Sequence, residues 1–533
     1  MALFIAFYAG ALTVFKEPIA QWVSPPHGAV HTVPLSEVPP LIQQTLAQRP
    51  AVAREFRIDL MEDGRFPGRM TWEERLPGLE LDDHGRALSQ QYMSTIADGK
   101  VHIIPIESSR LPQFLDDLHR VVGLPVDTNK TRVVMGVIAV LYALALVSGL
   151  IVLLPTIIKD LFALRLGHNL KRTWLDAHNV IGIVSLPFHL VIALTAVIFA
   201  FHDSIYALQD KMLHIGKLAT SEREQPFDFK DTNYRDLRTM IPPNALLAKI
   251  AEVAPDFRPR TLQYNHVYSL HPSVRAWGSD AGSIMRSLSG GFIVLDPFSG
   301  EVKSTDYLPG HQSGMFTAVT SFFALHFGSF GGKVVAWLYF FLGLAGAFLF
   351  YTGNLLWVET RRKTQRRNGL VPVQKRRTRY MASATVGVCL GCVCGISATI
   401  VAGRWLYGHV VNLAAWHMGI YYATFFSSLA LAFLRGPGNA AITLLQCAAA
   451  LTALVPITSL IGLLLPTSRT PWTSASFPAI GVDLVAMGGA IAFAWMALAT
   501  ARRVRRGAAD SVWASIARTL PKDHGAETEI PPN

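Results

Sequence analysis

Seven stretches of this chain run for about twenty residues or more with almost no charge: 133–158, 175–201, 334–358, 381–403, 409–434, 440–465 and 479–499. Each is long enough to cross the ~30 Å hydrocarbon core of a bilayer. No water reaches the backbone there, so such segments fold as helices that satisfy their own N–H and C=O groups. A shorter apolar block, residues 1–15, opens the chain and brings the predicted spans to eight. The fold class read from this pattern is a mainly α membrane protein, a polytopic helical bundle of about 8 TM helices. With 51% of residues hydrophobic and only 16% charged, a set of soluble domains is excluded.

Lys and Arg collect in three places: residues 159–173, the loop 359–380 and the segment after the last span, from Arg502 to Arg506. If every block crosses, all three fall on one side, and that side is cytoplasmic. The formal charge of +11 is then a topology signal, and nucleic acid is not an expected partner. Both termini are predicted to be cytoplasmic, with 501–533 as a tail. The hydrophilic segments 16–132 and 202–333 face outward. Cys389, Cys392, Cys394 and Cys447 all lie inside spans, where they read as packing residues, and no disulfide framework supports either exported segment.

The first half of the chain repeats itself as span, exported segment, span. The first exported segment has a helix-like stretch at 35–48 and strand-like runs at 56–61, 69–74 and 100–105. The second has a helix-like stretch at 243–253, a strand-like run at 261–270 and a hairpin signal at 291–302 turning through Pro297–Phe298–Ser299–Gly300. A helix packed on a few antiparallel strands, used twice, is the expected α+β arrangement. Leu118–His119 precedes one returning span as Leu325–His326 precedes the other, and Phe15–Ile19 aligns with Phe201–Ile205.

These motifs resemble the PepSY-associated transmembrane family, which includes FoxB-type siderophore reductases. The resemblance rests on Trp174–Leu175–Asp176–Ala177–His178–Asn179–Val180–Ile181–Gly182, on Leu186–Pro187–Phe188–His189, on Ala324–Leu325–His326–Phe327–Gly328–Ser329–Phe330–Gly331–Gly332 and on Tyr351–Thr352–Gly353–Asn354–Leu355–Leu356–Trp357. It covers about two thirds of the chain, and the last four spans (within 381–500) stand outside it. It implies two PepSY-like periplasmic domains, a multi-pass place in the bacterial inner (cytoplasmic) membrane, one or two non-covalent haem b groups, and a link to reduction of ferric siderophores for iron uptake.

The histidines support the haem from their own spacing. His178 and His189 are eleven residues apart on one predicted span. On a continuous helix, eleven steps of about 100° return both rings to one face, roughly 16 Å apart along the axis. Two haems, one above the other, would suit that geometry, each iron closed by a histidine from a neighbouring span. His326 is the expected outer-side ligand, and His119, its repeat counterpart, competes for the role. His202 and His311 read as exposed polar residues. His409 and His417 are ~80° off a common face and read as helix packing or a quinone-proximal surface. Gly182, Gly343, Gly346 and Gly353 provide small surfaces for a flat macrocycle or for close helix packing. The CxxCH attachment motif is absent, so any haem is non-covalent.

The function expected is b-haem electron transfer, with a ferric-siderophore reductase as the enzyme reading. The lipid bilayer, a ferric siderophore or other iron chelate, and an electron donor (quinol or a cytoplasmic reductase) are the partners. The alternative is a PepSY-type membrane-anchored binding or regulatory protein without redox activity. Spans with few acids or bases, Asp483 being the main exception, argue against a proton-coupled transporter. The block 1–15 is short for a span, and the position matching His178 in the repeat falls about eight residues before Met1. The expectation is therefore that the chain begins upstream of Met1 or that one haem site is lost, with His168 as a substitute ligand.

Overall fold

The computed structural model describes residues 1–24, 33–61, 68–75, 89–106, 109–125, 129–158, 170–202, 236–287, 290–367, 376–466, 472, 476–506 and 511–513. The chain opens with α1 (Ala2–Thr13) and α2 (Lys16–Val23), which meet at a 72° bend. The first hydrophilic segment follows as α3 (Val38–Gln48), β1 (Glu55–Asp59), β2 (Met70–Arg75), β3 (Ser89–Ala97), β4 (Lys100–Ile106) and α4 (Leu111–Arg120). Then come α5 (Asn129–Leu153), α6 (Leu170–Val184) and α7 (Leu186–Ala200). The second hydrophilic segment has the same order: α8 (Pro243–Val253), β5 (Arg258–Asn265), β6 (Ser273–Ser279), β7 (Gly291–Leu295), β8 (Val302–Ser304) and α9 (Gly314–Phe327). Five long helices complete the chain: α10 (Gly332–Arg367), α11 (Arg376–Trp405), α12 (Leu413–Arg435), α13 (Pro437–Leu464) and α14 (Phe477–Arg506). Among the described residues six helices can each cross a membrane, and the bent pairs α1–α2 and α6–α7 raise the number to eight.

The third predicted span is not one straight helix. Residues 178–184 and α7 meet at 69°. Pro187 sits in the first turn of α7, where its missing N–H is harmless, but its ring blocks a helix running through from upstream. Pro18 plays the same part at the start of α2. The shared helix face expected for His178 and His189 therefore does not exist. The rings are placed by two helices rather than by one periodicity.

The repeated units expected as two exported domains build one sheet. Its eight strands run β4-β3-β2-β1-β5-β6-β7-β8, all neighbours antiparallel, so the two four-stranded copies join edge to edge at β1 and β5. Phe56 pairs with Tyr264 at the junction, and their rings stack at 4.8 Å. Pairing the two innermost strands removes the two edges that would otherwise invite association. One face is covered by α3 and α8, with Leu41, Ile42, Leu46, Leu246 and Ile250 packed on Phe56, Leu262, Ala276 and Ile293. The β3–β4 hairpin turns through Asp98 and Gly99, both at positive φ (53° and 72°), the conformation a two-residue turn of this hand requires.

In the helical bundle α1 is central. Phe4, Ile5, Phe7 and Ala9 are buried among residues of α4, α5, α7, α10 and α11. Gly343 and Gly346 let α10 approach α1: a Cβ on Gly343 would lie 3.0 Å from Ala11, and one on Gly346 would strike the Phe7 ring. Their small size serves helix packing, while a Cβ on Gly182 would meet nothing within 4 Å among the described residues. Val358 of α10, Ala382 of α11 and Val512 gather around Trp513. Of the four cysteines read as packing residues, Cys389, Cys392 and Cys394 are buried, whereas Cys447 is exposed.

Candidate functional site

α4 is amphipathic: Leu111, Leu115 and Leu118 are buried on one stripe, and Asp116 and Arg120 pair at 3.6 Å on another. His119 leaves its last turn toward α1. Its Nδ1 lies 2.7 Å from the backbone carbonyl oxygen of Ala6. The approach depends on Gly10, one turn further along α1, where a Cβ would stand 2.7 Å from the same nitrogen.

His326 reaches the same place from the other copy of the repeat. α9 ends on Gly328, whose φ of 67° is the left-handed cap that glycine adopts freely. The chain there is fixed by Tyr339, which donates to the carbonyl of Leu325 at 2.6 Å, and any Cβ on Gly328 would meet the Tyr339 ring at 2.8 Å. His326 Nδ1 lies 2.9 Å from Thr195 Oγ1 on α7. Phe199 packs edge-on against the ring at 4.9 Å and Phe327 at 5.4 Å. The centroids of His119 and His326 are 6.2 Å apart, with planes inclined at 43°.

His178 and His189 lie on either side of the α6–α7 break. His178 Nδ1 is 3.0 Å from Thr352 Oγ1 on α10, and Gly353 leaves its ring 3.7 Å from where a Cβ would stand. His189, 3% exposed, has Nδ1 2.6 Å from Tyr142 Oη on α5 and is ringed by Phe7, Phe188 and Phe350. Its Nε2 is buried without a hydrogen-bond partner among the described residues.

The partners fix which nitrogen is free. A carbonyl can only accept, so His119 carries its proton on Nδ1 and presents an Nε2 lone pair. Thr195 and Thr352 already donate to carbonyls of their own helices, Val191 at 2.7 Å and Phe348 at 3.0 Å, so each hydroxyl oxygen accepts from the histidine. His178 and His326 thereby present Nε2 as well. This is the arrangement of imidazoles that ligate a metal: the far nitrogen is held by an oxygen, which sets orientation and raises basicity. The chemistry of each ring would suit axial ligation of a haem iron, only His119 and His326 face each other among the described residues, and the Nε2 of His189 is buried without a partner.

The sequence pairs His189 with His326 at the outer site, with His119 competing for the place of His326; the structure instead sets His119 and His326 against each other, and no ring contact joins His326 to His189 among the described residues. His311 and His409 are exposed, whereas His202 bonds the Phe199 carbonyl and His417 is buried. His168 lies outside the described residues. Sequence reasoning missed Tyr142, Thr195, Thr352 and Gly10. Thr352 beside Gly353 was the one readable signal, a hydroxyl next to a small residue within an apolar span. Residues 1–360, from α1 to the end of α10 apart from its last seven residues, match the family model described as PepSY-associated TM region. No curated protein matches the chain.

Proposed function

The chain belongs to the PepSY-associated TM region family, and from that premise we propose that this multi-pass membrane protein carries electrons on b-type haem and reduces ferric siderophores or related chelates at the face bearing the sheet. The observation that supports it most is the facing pair His119 and His326, each with Nδ1 engaged and Nε2 free. A bound haem b supplies a one-electron iron couple, and two imidazole ligands favour electron transfer over oxygen binding.

The chain's own residues hold, orient and shield. Ala6 O and the Thr195 and Thr352 hydroxyls keep three rings in the ligating tautomer. Phe199, Phe323 and Phe327 exclude water beside His326. From there Arg286 bridges Phe323 and Tyr307, 4.4 Å from each ring centroid, and Tyr307 packs on Phe292 at 5.1 Å in the sheet. That chain of rings leads from His326 to the sheet, where an acceptor would dock. Reduction weakens the hold of hard oxygen donors on iron, which releases it from a chelate. In this reading the sheet is periplasmic, the arginine-rich helix ends are cytoplasmic, and the membrane is the bacterial inner membrane.

The test is kinetic. Protein reconstituted in liposomes and reduced beforehand should reoxidise faster with a ferric siderophore than alone, and His326→Ala should remove the acceleration. Equal rates across several chelates would contradict iron release. The continuous sheet also suits a membrane-anchored binding protein, the reading that remains if no redox component is present.

A further inference from the structure

Residues 307–332, the last part of the second hydrophilic segment, contain no Asp, Glu, Lys or Arg. α9 fills most of this stretch and is apolar on every side. At about 100° per residue, Met315, Phe316, Ala324 and Leu325 leave the axis in four directions roughly 90° apart. A helix apolar all round belongs in a protein core or in a membrane. α9 is in no core: of its fourteen residues only Thr320 and Ala324 are buried, and Met315 is 76% exposed. Its hydroxyls are turned inward as well. Thr317 Oγ1 donates to the carbonyl of Ser313 at 3.0 Å, and Ser321 Oγ donates to that of Thr317 at 2.8 Å. Bonded back to their own helix, these groups need no water.

The counterpart in the first copy of the repeat is built otherwise. α4 carries Asp116, Asp117 and Arg120, and the last four helices reach it: Phe114 meets Tyr421 at 5.5 Å, and Tyr422 donates to the Gly123 carbonyl at 3.0 Å. Aligned on His119 and His326, the buried Leu118 matches Leu325, and Gly123 matches Phe330, both of them exposed. The end of α9 lies level with the start of α10. Tyr339, at the end of the second turn of α10, donates to the Leu325 carbonyl at 2.6 Å, and its ring meets Phe330 at 6.0 Å. α10 is long and apolar enough to cross the membrane, and Val334 and Leu338 are exposed in those same two turns. Lipid therefore lies beside α10 at the level of α9. On another side of α9, Arg286 lies 4.4 Å over Phe323, and Tyr307 packs on Phe316 at 5.4 Å, which ties the helix to the sheet. At fourteen residues, about 21 Å, α9 is too short to cross the ~30 Å core.

We propose that α9 is embedded in lipid on the side of the membrane that bears the sheet, without crossing, and that acyl chains cover Met315, Leu325 and Phe330. Residues 314–330 then belong to the membrane and not to the hydrophilic segment in which the sequence places them. His326 stands at the lipid boundary, while its partner His119 is carried by a helix that protein covers. The last four helices shield one copy of the repeat, and the bilayer shields the other. This placement holds with or without a bound cofactor.

The test is photo-crosslinking of the full-length protein in liposomes of phosphatidylethanolamine and phosphatidylglycerol. The photoreactive residue p-benzoylphenylalanine replaces Met315 in one variant and Phe330 in a second. A third carries it at Val253, an exposed apolar residue of α8 on the sheet, as the control. After irradiation, intact mass spectrometry should show the mass of one phospholipid added at Met315 or at Phe330, and none at Val253. No lipid adduct at either position, equal labelling at Val253, or a cross-linked pair of chains as the main product overturns the proposal. If the Met315 variant does not yield a monodisperse protein, the Phe330 variant decides alone.

Discussion

The imidazole of His119 faces that of His326 at 6.2 Å, each delivered by the helix that closes one copy of the internal repeat. Two helices related by the repeat thus converge on one point, although their parent strands lie in opposite halves of the sheet. His119→Ala and His326→Ala should each lower the haem bound per chain and remove the same spectral component. Haem content measured by pyridine haemochromogen should fall alike in both. Wild-type content in either folded variant would break the pairing.

Gly10 is the clearance for His119. Even Gly10→Ala places a methyl 2.7 Å from Nδ1, and α1 cannot retreat because Phe7 and Ala9 are packed on its other sides. The substitution should destabilise the protein by about 1–3 kcal/mol and perturb the component assigned to His119. Thermal melts and the absorption spectrum check both effects. Gly182→Ala, where nothing among the described residues lies within 4 Å, is the control and should leave both unchanged.

Thr195 Oγ1 lies 2.9 Å from His326 Nδ1 and accepts its hydrogen bond. Thr195→Val removes the acceptor from Nδ1–H, which makes the imidazole a weaker donor to a ferric iron. Redox titration should show one component moved to higher potential, and Thr195→Ser, which keeps the hydroxyl, should restore it. A potential unaffected by valine would assign Thr195 to packing.

In the sheet, Asp296 organises the β7–β8 turn. It accepts from the backbone N–H groups of Phe298 and Ser299 at 2.8 and 3.1 Å, and Lys303 pairs with it at 2.9 Å. Burial pushes its carboxyl pKa up, but the Lys303 ammonium and the two N–H groups outweigh this and hold it below the usual value. The folded-state pKa being depressed, the stabilisation is complete above the unfolded value of about 4 and is lost as pH falls through the folded one. Asp296→Asn should therefore lower the melting temperature at pH 7 and reduce the further loss in acid. An unchanged acid dependence would show that the turn does not need the charge.

Trp22 ties α2 to α11, α13 and α14. Its indole donates to Asp483 at 2.8 Å and to Ser459 at 3.1 Å, Ser459 also receives Arg404 at 3.0 Å, and the Arg404 guanidinium lies 4.5 Å over the indole. Asp483→Leu leaves these buried donors short of an acceptor and should destabilise the protein by about 1–3 kcal/mol. Trp22→Phe and Asp483→Leu combined should destabilise less than the sum of the two. Additive effects would mean the two residues are not coupled.

Much of the architecture was legible because apolar length is a direct physical requirement of the bilayer. The long helices fall where uncharged blocks predict them, and α8 spans the residues read as helix-like. Strand β3 escaped because Ser89–Ala97 mixes polar and apolar residues on both faces, and α4 because ten amphipathic residues make a weak signal beside the spans. The joined sheet was hidden for another reason: pairing of β1 with β5 links residues about 200 apart, and no local pattern encodes it. The breaks before Pro18 and Pro187 were readable from proline alone. The histidines were visible, but their neighbours were not, since Ala6, Gly10, Thr195 and Tyr142 become site residues only through helix packing.

The most direct test is a dithionite-reduced minus oxidised spectrum of the purified full-length protein, with haem quantified per chain. A b-type difference spectrum, at least one haem per chain, and loss of a component in His119→Ala and in His326→Ala are the expected result. A featureless spectrum from protein expressed with sufficient haem, or a wild-type spectrum in both variants, would contradict it.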